Sequence, residues 1–265
     1  MHNASTTTTD PTLPPSRQLL LMEGRAIWEL QSFFALYPLL RLAPRGDGHP
    51  VLVLPGLAAS DESTRALRAF LRAQGYHAHG WKLGPNHGPV PGAEAKMQAR
   101  LTELAERHGR KVSLVGQSLG GVFAREMAKR APGHVRAVIT LGSPFAGAPR
   151  ASNAWELYER VSGGARADDA QRREQRRTPP PLPSTAIYSR SDGIVAWQGC
   201  LEREGPRAEN IEVEGSHSGM AHNPVVLYAI ADRLAQPEGG WQPFDRSGLK
   251  GLVYPDPKRD HGPPH

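Results

Sequence analysis

The stretch KVSLVGQSLGGVFAREM, residues 111–127, changes its pattern half-way along. Residues 112–115 form a short apolar run rich in β-branched side chains, which predicts a buried strand. From Val122 onward, apolar residues recur at helical spacing. Between the two patterns lies GQSLG, residues 116–120. The stretch therefore predicts a strand that turns into a helix within one or two residues.

Ser118 lies at the apex of this predicted turn. Gly116 and Gly120, two residues before and two after it, allow the strand and the helix to approach without a Cβ clash. Such a turn holds its central side chain out of the fold above the end of the sheet, which suits a nucleophile. The G-x-S-x-G pattern also arises by chance in glycine-rich chains, so the prediction depends on the flanking strand and helix.

Composition sets bounds on the class of protein. With 265 residues and 38% apolar content, the chain can bury one substantial core in a single α/β domain. The single cysteine, Cys200, excludes an intramolecular disulfide and argues against a cysteine zinc site. We interpret Cys200 as a small core residue rather than as a thiol nucleophile.

The net charge of +6 raises the question of a nucleic-acid partner. Many of the basic residues lie in one run, residues 166–177 (RADDAQRREQRR), where acidic residues are interleaved with them. That mixture is typical of a solvated helix face. We therefore expect no nucleic-acid partner.

The N-terminal region divides into two parts. Residues 1–18 lack the basic and apolar regions of a signal peptide and predict a disordered lead. Residues 19–42 are strongly apolar, but charged residues interrupt them too often for a membrane-spanning helix. Residues 19–48 therefore predict an amphipathic helix and linker, with the helix packed on the domain or resting at a lipid surface. We expect a cytoplasmic protein that contacts membrane surfaces transiently through residues 19–42.

The rest of the chain alternates strand and helix patterns. Besides the strand and helix of the opening stretch, strands are predicted at 51–54, 76–83, 134–141, 184–189 and 210–214, and helices at 61–74, 94–108 and 225–234. Strands separated by helices of this length indicate βαβ crossovers and a mostly parallel sheet with helices on both faces. Residues 237–265 are rich in glycine and proline and predict a C-terminal tail.

One long interval, about residues 145–183, interrupts this alternation. It contains two helix-like segments, 153–161 and 168–177, followed by TPPPLP. We expect the interval to form a small helical cap over the carboxyl edge of the sheet, where ligands bind in α/β folds. The apolar residues Trp155 and Tyr158 fit the underside of such a cap and fit ordinary packing equally well.

An elbow serine requires two partners, because its hydroxyl is hardly ionised at neutral pH. An imidazole must accept its proton, and a carboxylate must hold that imidazole in the right tautomer. Asp192 follows the predicted strand 184–189 in the turn RSDGIV; Asp-Gly is also a common turn pair, but the place in the chain favours the catalytic role. His217 follows the last predicted strand in EGSHSG, and His222 is its only rival among the eleven histidines.

The oxyanion that forms when a serine attacks a carbonyl also needs donors. One is the backbone N–H of Leu119, directly after the nucleophile at the start of the helix. The second is expected in the loop after an early strand, and the sequence LPGL there nominates the N–H of Leu57.

Several motifs now resemble one known family over roughly residues 50–236. GQSLGG, the earlier PGL, the later SDGIV and GSHSGM, and LGSPFAG at residues 141–147 are similar to motifs of the α/β-hydrolase superfamily, in its esterase and lipase branch. The resemblance implies an α/β-hydrolase domain at residues 49–236, with a small helical cap at about 145–183. Pro55 departs from the pattern, since many relatives carry histidine there, and the first two strands of larger relatives are absent or replaced by the N-terminal helix.

The resemblance also implies roles for individual residues. Ser118 would be the nucleophile, His217 the base and Asp192 the orienting acid, with Leu57 and Leu119 as oxyanion donors. The predicted function is hydrolysis of a small-molecule or lipid carboxylic ester through an acyl-enzyme, with no metal and no cofactor.

Three other functions fit the same sequence. An acyltransferase or a lipid deacylase would use the same triad. A non-catalytic binding module on the same fold would not need all three residues, which disfavours it.

Overall fold

A six-stranded sheet forms the centre of the protein, and all its neighbouring strands run parallel. The computed structural model describes residues 13–148, 150–162 and 170–258. The strands are β1 (Pro50–Leu54), β2 (His77–Gly80), β3 (Val112–Gln117), β4 (Val135–Leu141), β5 (Ser184–Tyr188) and β6 (Ala208–Glu212). They lie in the order β2-β1-β3-β4-β5-β6 across the sheet. The predicted mostly parallel sheet of about six strands is confirmed.

Helices connect these strands and flank them. The α-helices are α1 (Arg17–Leu21), α2 (Ala26–Leu40), α3 (Arg65–Ala73), α4 (Ala93–His108), α5 (Leu119–Arg130), α6 (Trp155–Ser162), α7 (Ala170–Arg177), α8 (Pro224–Leu234) and α9 (Lys250–Val253). Short 3₁₀ helices cover Met22–Arg25, Asp61–Thr64 and Trp197–Cys200. The second strand is shorter than predicted, because the N–H groups of Trp81 and Lys82 bond to the carboxylate of Asp61 instead of continuing the ladder.

Both faces of the sheet are covered, and the central strand β1 is apolar and buried along its whole length. Val51 and Val53 of β1 pack on the side of α3 and α8, and Leu52 and Leu54 pack on the side of α4 and α5. This arrangement explains why the central strands appear in the sequence as continuous apolar runs rather than as alternating ones.

A helical arm, defined here as residues 17–40, lies against the domain before the first strand. It consists of α1, the 3₁₀ turn Met22–Arg25 and α2, and it packs on the core through Phe33 and Leu40. Its large apolar side chains are mostly exposed, whereas Glu23, Arg25 and Glu29 face the domain and bond to it. Over residues 20–30 the polarity is thus the reverse of a packed amphipathic helix, which buries its apolar face, whereas Phe33 and Leu40 pack in the usual way. Within the described residues, no helix has both the length and the apolar character needed to cross a bilayer.

The termini differ from their predicted boundaries. A disordered lead is predicted for residues 1–18. Residues 1–12 lie outside the described residues, and helix α1 begins at Arg17, before the predicted end of the lead. Within the predicted tail, Phe244 and Tyr254 are buried against the core beside α8. Two aromatic anchors therefore hold the described part of this segment on the domain.

The interval 145–183 contains α6 and α7, close to the two predicted helix segments. The start of the second predicted segment, residues 168–169, lies outside the described residues. Helix α7 lies against α5, since the guanidinium of Arg125 donates to the carbonyls of Arg176 and Thr178. Arg125 is itself buried and paired with Glu202, and its guanidinium lies 3.7 Å from the centre of the Phe145 ring. The interval is therefore anchored to the helix that follows the elbow serine.

Candidate active site

Ser118 sits at a strained turn between β3 and α5. Its backbone has φ 51° and ψ −123°, a conformation that non-glycine residues rarely adopt. A Cβ on Gly116 would collide with the backbone of Gly120, and one on Gly120 would collide with the carbonyl of Leu54. The turn is therefore possible only with these two small residues, as the sequence pattern predicts. The half-buried Ser118 is left at the carboxyl end of the sheet.

Asp192 and His217 meet at the same edge of the sheet. Asp192 follows β5 and His217 follows β6, and the carboxylate Oδ2 lies 2.7 Å from the imidazole Nδ1. The other oxygen, Oδ1, accepts the backbone N–H groups of Ile194 and Val195, both at 2.8 Å. Both side chains are buried, so the orientation of the carboxylate is fixed from two sides.

The charge of Asp192 controls the protonation of His217. Burial alone would lower the pKa of His217, but the carboxylate of Asp192 outweighs it and raises that pKa above its ordinary value. The carboxylate of Glu23 adds a smaller contribution in the same direction. A histidine held in this way is suited to accept a proton near neutral pH.

The elbow and the acid–base pair are connected through the backbone. The side chain of Gln117, next to the serine, donates to the carbonyl of His217 at 3.0 Å. A Cβ on Gly142, after β4, would lie 3.1 Å from both Asp192 Oδ2 and His217 Nδ1, so the pair packs against bare backbone there. Among the described residues, no group forms a hydrogen bond with Ser118 Oγ. In enzymes without bound substrate, the hydrogen bond between a nucleophile and its base is often long and shortens only when substrate binds.

The two nominated oxyanion donors border the same cavity as the serine. Within the described part of the chain, neither the N–H of Leu57 nor that of Leu119 is used in a hydrogen bond. Leu57, Ser118 and Leu119 all line a cavity of about 590 Å³. The cavity is bounded mainly by apolar side chains: Met97, Val122, Phe123, Met127, Trp155, Tyr158 and Val195. Trp155 and Tyr158 thus bring the interval 145–183 to the cavity wall.

Comparisons with known proteins agree with this architecture. The mature lipase BlEst2 of Bacillus licheniformis superposes with a TM-score of 0.54 at 18% identity, over 73% of this chain and 94% of that chain. A pyrethroid hydrolase of Sphingobium faniae JZ-2 gives 0.53 at 19% identity, over 72% and 98%. The monoacylglycerol lipase of Paleococcus ferrophilus gives 0.52 at 16% identity, over 73% and 96%. The chain has the α/β-hydrolase fold.

Similarity in sequence is more limited. A family described as "PGAP1-like alpha/beta domain" matches residues 95–198 of this chain. That segment includes Ser118 and Asp192 and ends before His217. No curated protein matches the chain.

The other candidate residues lie outside the constellation. His222 Nε2 lies 3.0 Å from the carbonyl oxygen of Ala26, so its ring is engaged by the helical arm. Asn223 caps α8 by accepting the N–H of Val225, and Pro224 occupies the first turn. Cys200 is buried, and burial raises the pKa of its thiol well above the usual range, which suits a core residue and not a nucleophile.

Sequence reasoning missed the groups that support the site from a distance. Gln117 carries no motif of its own, and its bond to the His217 loop spans 100 residues. The sequence shows only that charges interrupt the apolar run at residues 19–42, among them those of Glu23, Arg25 and Glu29. In the structure all three bond to the loops that carry Asp192 and His217.

Proposed function

We propose that this protein is a serine hydrolase that cleaves carboxylic esters through an acyl-enzyme on Ser118. The observation that carries the proposal is the buried pair of Asp192 and His217, with 2.7 Å between carboxylate and imidazole, at the sheet edge where a strained serine is presented. A serine, a base and an orienting acid in this chain order are the minimum set for nucleophilic acyl transfer.

The reaction begins with the transfer of a proton. Asp192 accepts the Nδ1–H of His217, which leaves Nε2 free to take the hydroxyl proton of Ser118. The serine oxygen attacks the ester carbonyl, and the N–H groups of Leu57 and Leu119 donate to the resulting oxyanion.

Breakdown of this intermediate completes the cycle. His217 returns the proton to the leaving alcohol, and the acyl group stays bonded to Ser118. Water, deprotonated by the same imidazole, then attacks the acyl-enzyme, and the imidazole returns that proton to the oxygen of Ser118 as the acid leaves. Apart from the ester and this water, the steps use only side chains and backbone amides of the chain.

The cavity supports an ester with an apolar acyl group. Its volume of about 590 Å³ lies within the range of small-molecule sites, and its wall is apolar next to Ser118. Two of the similar structures are lipases by name, the mature BlEst2 and a monoacylglycerol lipase, which agrees with this class of substrate.

The proposal is tested with p-nitrophenyl esters from acetate to palmitate and with a fluorophosphonate probe. We expect the wild type to hydrolyse at least one ester and to be labelled, with the best kcat/KM for an acyl group larger than acetyl. Ser118→Ala is expected to keep the fold and to lose turnover by at least about a thousandfold. Equal labelling of the wild type and the variant would rule out Ser118 as the nucleophile. Transfer of the acyl group to an added alcohol faster than to water would indicate an acyltransferase.

A further inference from the structure

The loops that carry Asp192 and His217 are held from outside by one carboxylate. Glu23 Oε1 accepts the N–H of Gly193, which follows the acid, and the N–H of His217 itself, both at 2.9 Å. Its other oxygen accepts the N–H of Ser218 at 3.0 Å. A single side chain on the helical arm therefore bridges the two loops whose alignment gives the 2.7 Å contact between Asp192 and His217.

A second side chain on the arm makes the same bridge. The guanidinium of Arg25 donates to the carbonyl of Ser191 at 2.6 Å and to the carbonyl of Gly215 at 2.8 Å. Glu29 then accepts the N–H and the hydroxyl of Ser216, both at 2.7 Å. Glu23, Arg25 and Glu29 therefore all bond to the loop that carries Asp192 or to the loop that carries His217.

The loop sequences leave room for this contact. A Cβ on Gly193 would collide with the backbone of Leu19, and a Cβ on Gly219 would collide with the carboxylate of Glu29. The two glycines thus permit the close approach of the arm, in addition to allowing the loops to turn.

Glu23 also remains charged in this position. Burial alone would raise the pKa of Glu23, but the backbone N–H groups of Ser218, His217 and Gly193 lower it below its ordinary value. The resulting negative charge contributes to the raised pKa of His217.

We propose that Glu23 is a positioning residue for catalysis, which aligns the loop of Asp192 with the loop of His217. This role rests on the proposed function, because Glu23 acts through His217 and touches no substrate. The positioning role is argued from one observation: the carboxylate of Glu23 accepts three backbone N–H groups, which come from both loops.

The test separates the charge of Glu23 from its reach. Glu23→Gln keeps the length, removes the charge and offers an NH₂ where the N–H of Ser218 needs an acceptor. Glu23→Asp keeps the charge but is one methylene shorter, so it cannot span both loops. Glu62→Gln, an exposed carboxylate paired only with Arg65, is the matched control.

Steady-state kinetics are measured across pH on the best p-nitrophenyl ester. His217 must be neutral to act as base, so its pKa sets the acid limb of the kcat profile. Loss of the Glu23 charge lowers the pKa of His217 and should therefore move this acid limb to lower pH. For Glu23→Gln we expect this shift, a fall in kcat of about tenfold or more, and KM within about threefold. Glu23→Asp should lose kcat without the shift, and Glu62→Gln should match the wild type.

The outcomes distinguish this inference from the proposed function. If the wild type is inactive and unlabelled by fluorophosphonate, or if Ser118→Ala is as active as the wild type, the proposed function fails. If the wild type is active and Glu23→Gln keeps its kcat and acid limb, only the role of Glu23 fails. A fall in kcat and thermal stability with an unmoved acid limb would reduce Glu23 to a structural contact. That criterion applies to Glu23→Gln only; if Glu23→Gln does not fold, Glu23→Asp tests the alignment alone, and a wild-type kcat in Glu23→Asp would overturn the role of Glu23.

The outer face of the helical arm supports a second inference, which is independent of catalysis. Eleven of the fifteen exposed large apolar side chains in the described part of the chain lie between residues 13 and 42. Leu21, Trp28 and Phe34 are 82%, 69% and 68% exposed. An apolar surface of this extent marks a site of interaction.

The charges around this surface indicate what covers it. Every exposed charged residue between positions 13 and 46 is an arginine: Arg17, Arg41 and Arg45. Arginines at both ends of an apolar helix face, with an exposed tryptophan between them, suit the anionic headgroups and the interfacial region of a lipid layer. We infer that the outer face of the arm docks on an anionic lipid surface.

Co-sedimentation of the full chain with vesicles tests this inference. We expect binding to vesicles of phosphatidylcholine with phosphatidylglycerol, weaker binding to phosphatidylcholine alone, and weakening by salt. Trp28→Ser with Phe34→Glu should lower the partition coefficient at least about tenfold. Leu252→Glu, which alters an equally exposed apolar residue outside the arm, should bind like the wild type.

Three results would overturn it. The wild type could fail to pellet with either vesicle, or Leu252→Glu could lose as much binding as the arm variant. Sedimentation velocity could instead show a dimer that the arm substitutions split, in which case a second copy of the chain covers this face. Using Ser118→Ala as the parent protein keeps all these results independent of catalysis.

Discussion

Replacing Asp192 by asparagine should trap His217 in the wrong tautomer. In the wild type Oδ1 accepts two backbone N–H groups, from Ile194 and Val195, and Oδ2 faces His217 Nδ1. An asparagine must keep its carbonyl oxygen toward the two donors, because turning its NH₂ toward them would leave two buried N–H groups unpaired. Its NH₂ then faces Nδ1, which must become an acceptor, so the proton moves to Nε2. With Nε2 protonated, His217 cannot take the proton of Ser118.

The expected loss is a factor of about 10³ to 10⁴ in kcat, which corresponds to about 4 to 5.5 kcal/mol of barrier. KM should change little, because the carboxylate is buried behind the imidazole and does not line the cavity. The assay is hydrolysis of the best p-nitrophenyl ester, with thermal unfolding as a check on the fold and Asp232→Asn as a control on α8. If Asp192→Asn kept more than about a tenth of the wild-type kcat, Asp192 would not be the orienting acid.

Three further predictions follow from the same structure. His217→Ala should lower kcat nearly as much as Ser118→Ala does, whereas His222→Ala should lower kcat about tenfold or less, since the His222 ring bonds to the arm. If kcat fell more in His222→Ala than in His217→Ala, His222 would be the base. Trp155→Ala should lower kcat/KM for long-chain esters more than for acetate because it opens the cavity wall, and an equal loss on all esters would contradict this role. Arg125→Ala should lower the free energy of unfolding, measured in urea, by about 3 to 5 kcal/mol, because the buried carboxylate of Glu202 loses its positively charged partner. The double variant Arg125→Met with Glu202→Leu should recover most of that loss, because it removes both buried charges.

The parts of the fold that the sequence predicts are those encoded by local pattern. The strand–elbow–helix at residues 111–127 is recognised from a change of periodicity and two small residues, and both signals are local to the sequence. Asp192 and His217 could be placed because each follows a strand, and parallel strands end at one edge of a sheet. Their 2.7 Å contact required the structure, since it joins residues 25 apart in sequence through two loops.

The orientation of the helical arm could not be predicted from its own residues. The pattern of residues 19–42 shows apolar positions interrupted by charges, and the usual rule buries the apolar side. Here the charged side faces the domain. Arg25 donates to backbone carbonyls of the loops that carry Asp192 and His217. Glu23 and Glu29 accept backbone N–H groups there that would otherwise be unpaired. Those partners lie 170 and 194 residues away from Glu23. Local hydropathy contains no information about unpaired amides at that distance.

The site therefore has two kinds of support with different expected responses to perturbation. The elbow and the amide of Leu119 lie where β3 passes into α5, both of which pack in the core, so core packing fixes Ser118. The acid and the base lie on loops beyond β5 and β6, and the arm fixes these through charged hydrogen bonds, which are strong but depend on a few side chains. Weakening the arm should consequently disturb the alignment of His217 before it disturbs the presentation of Ser118.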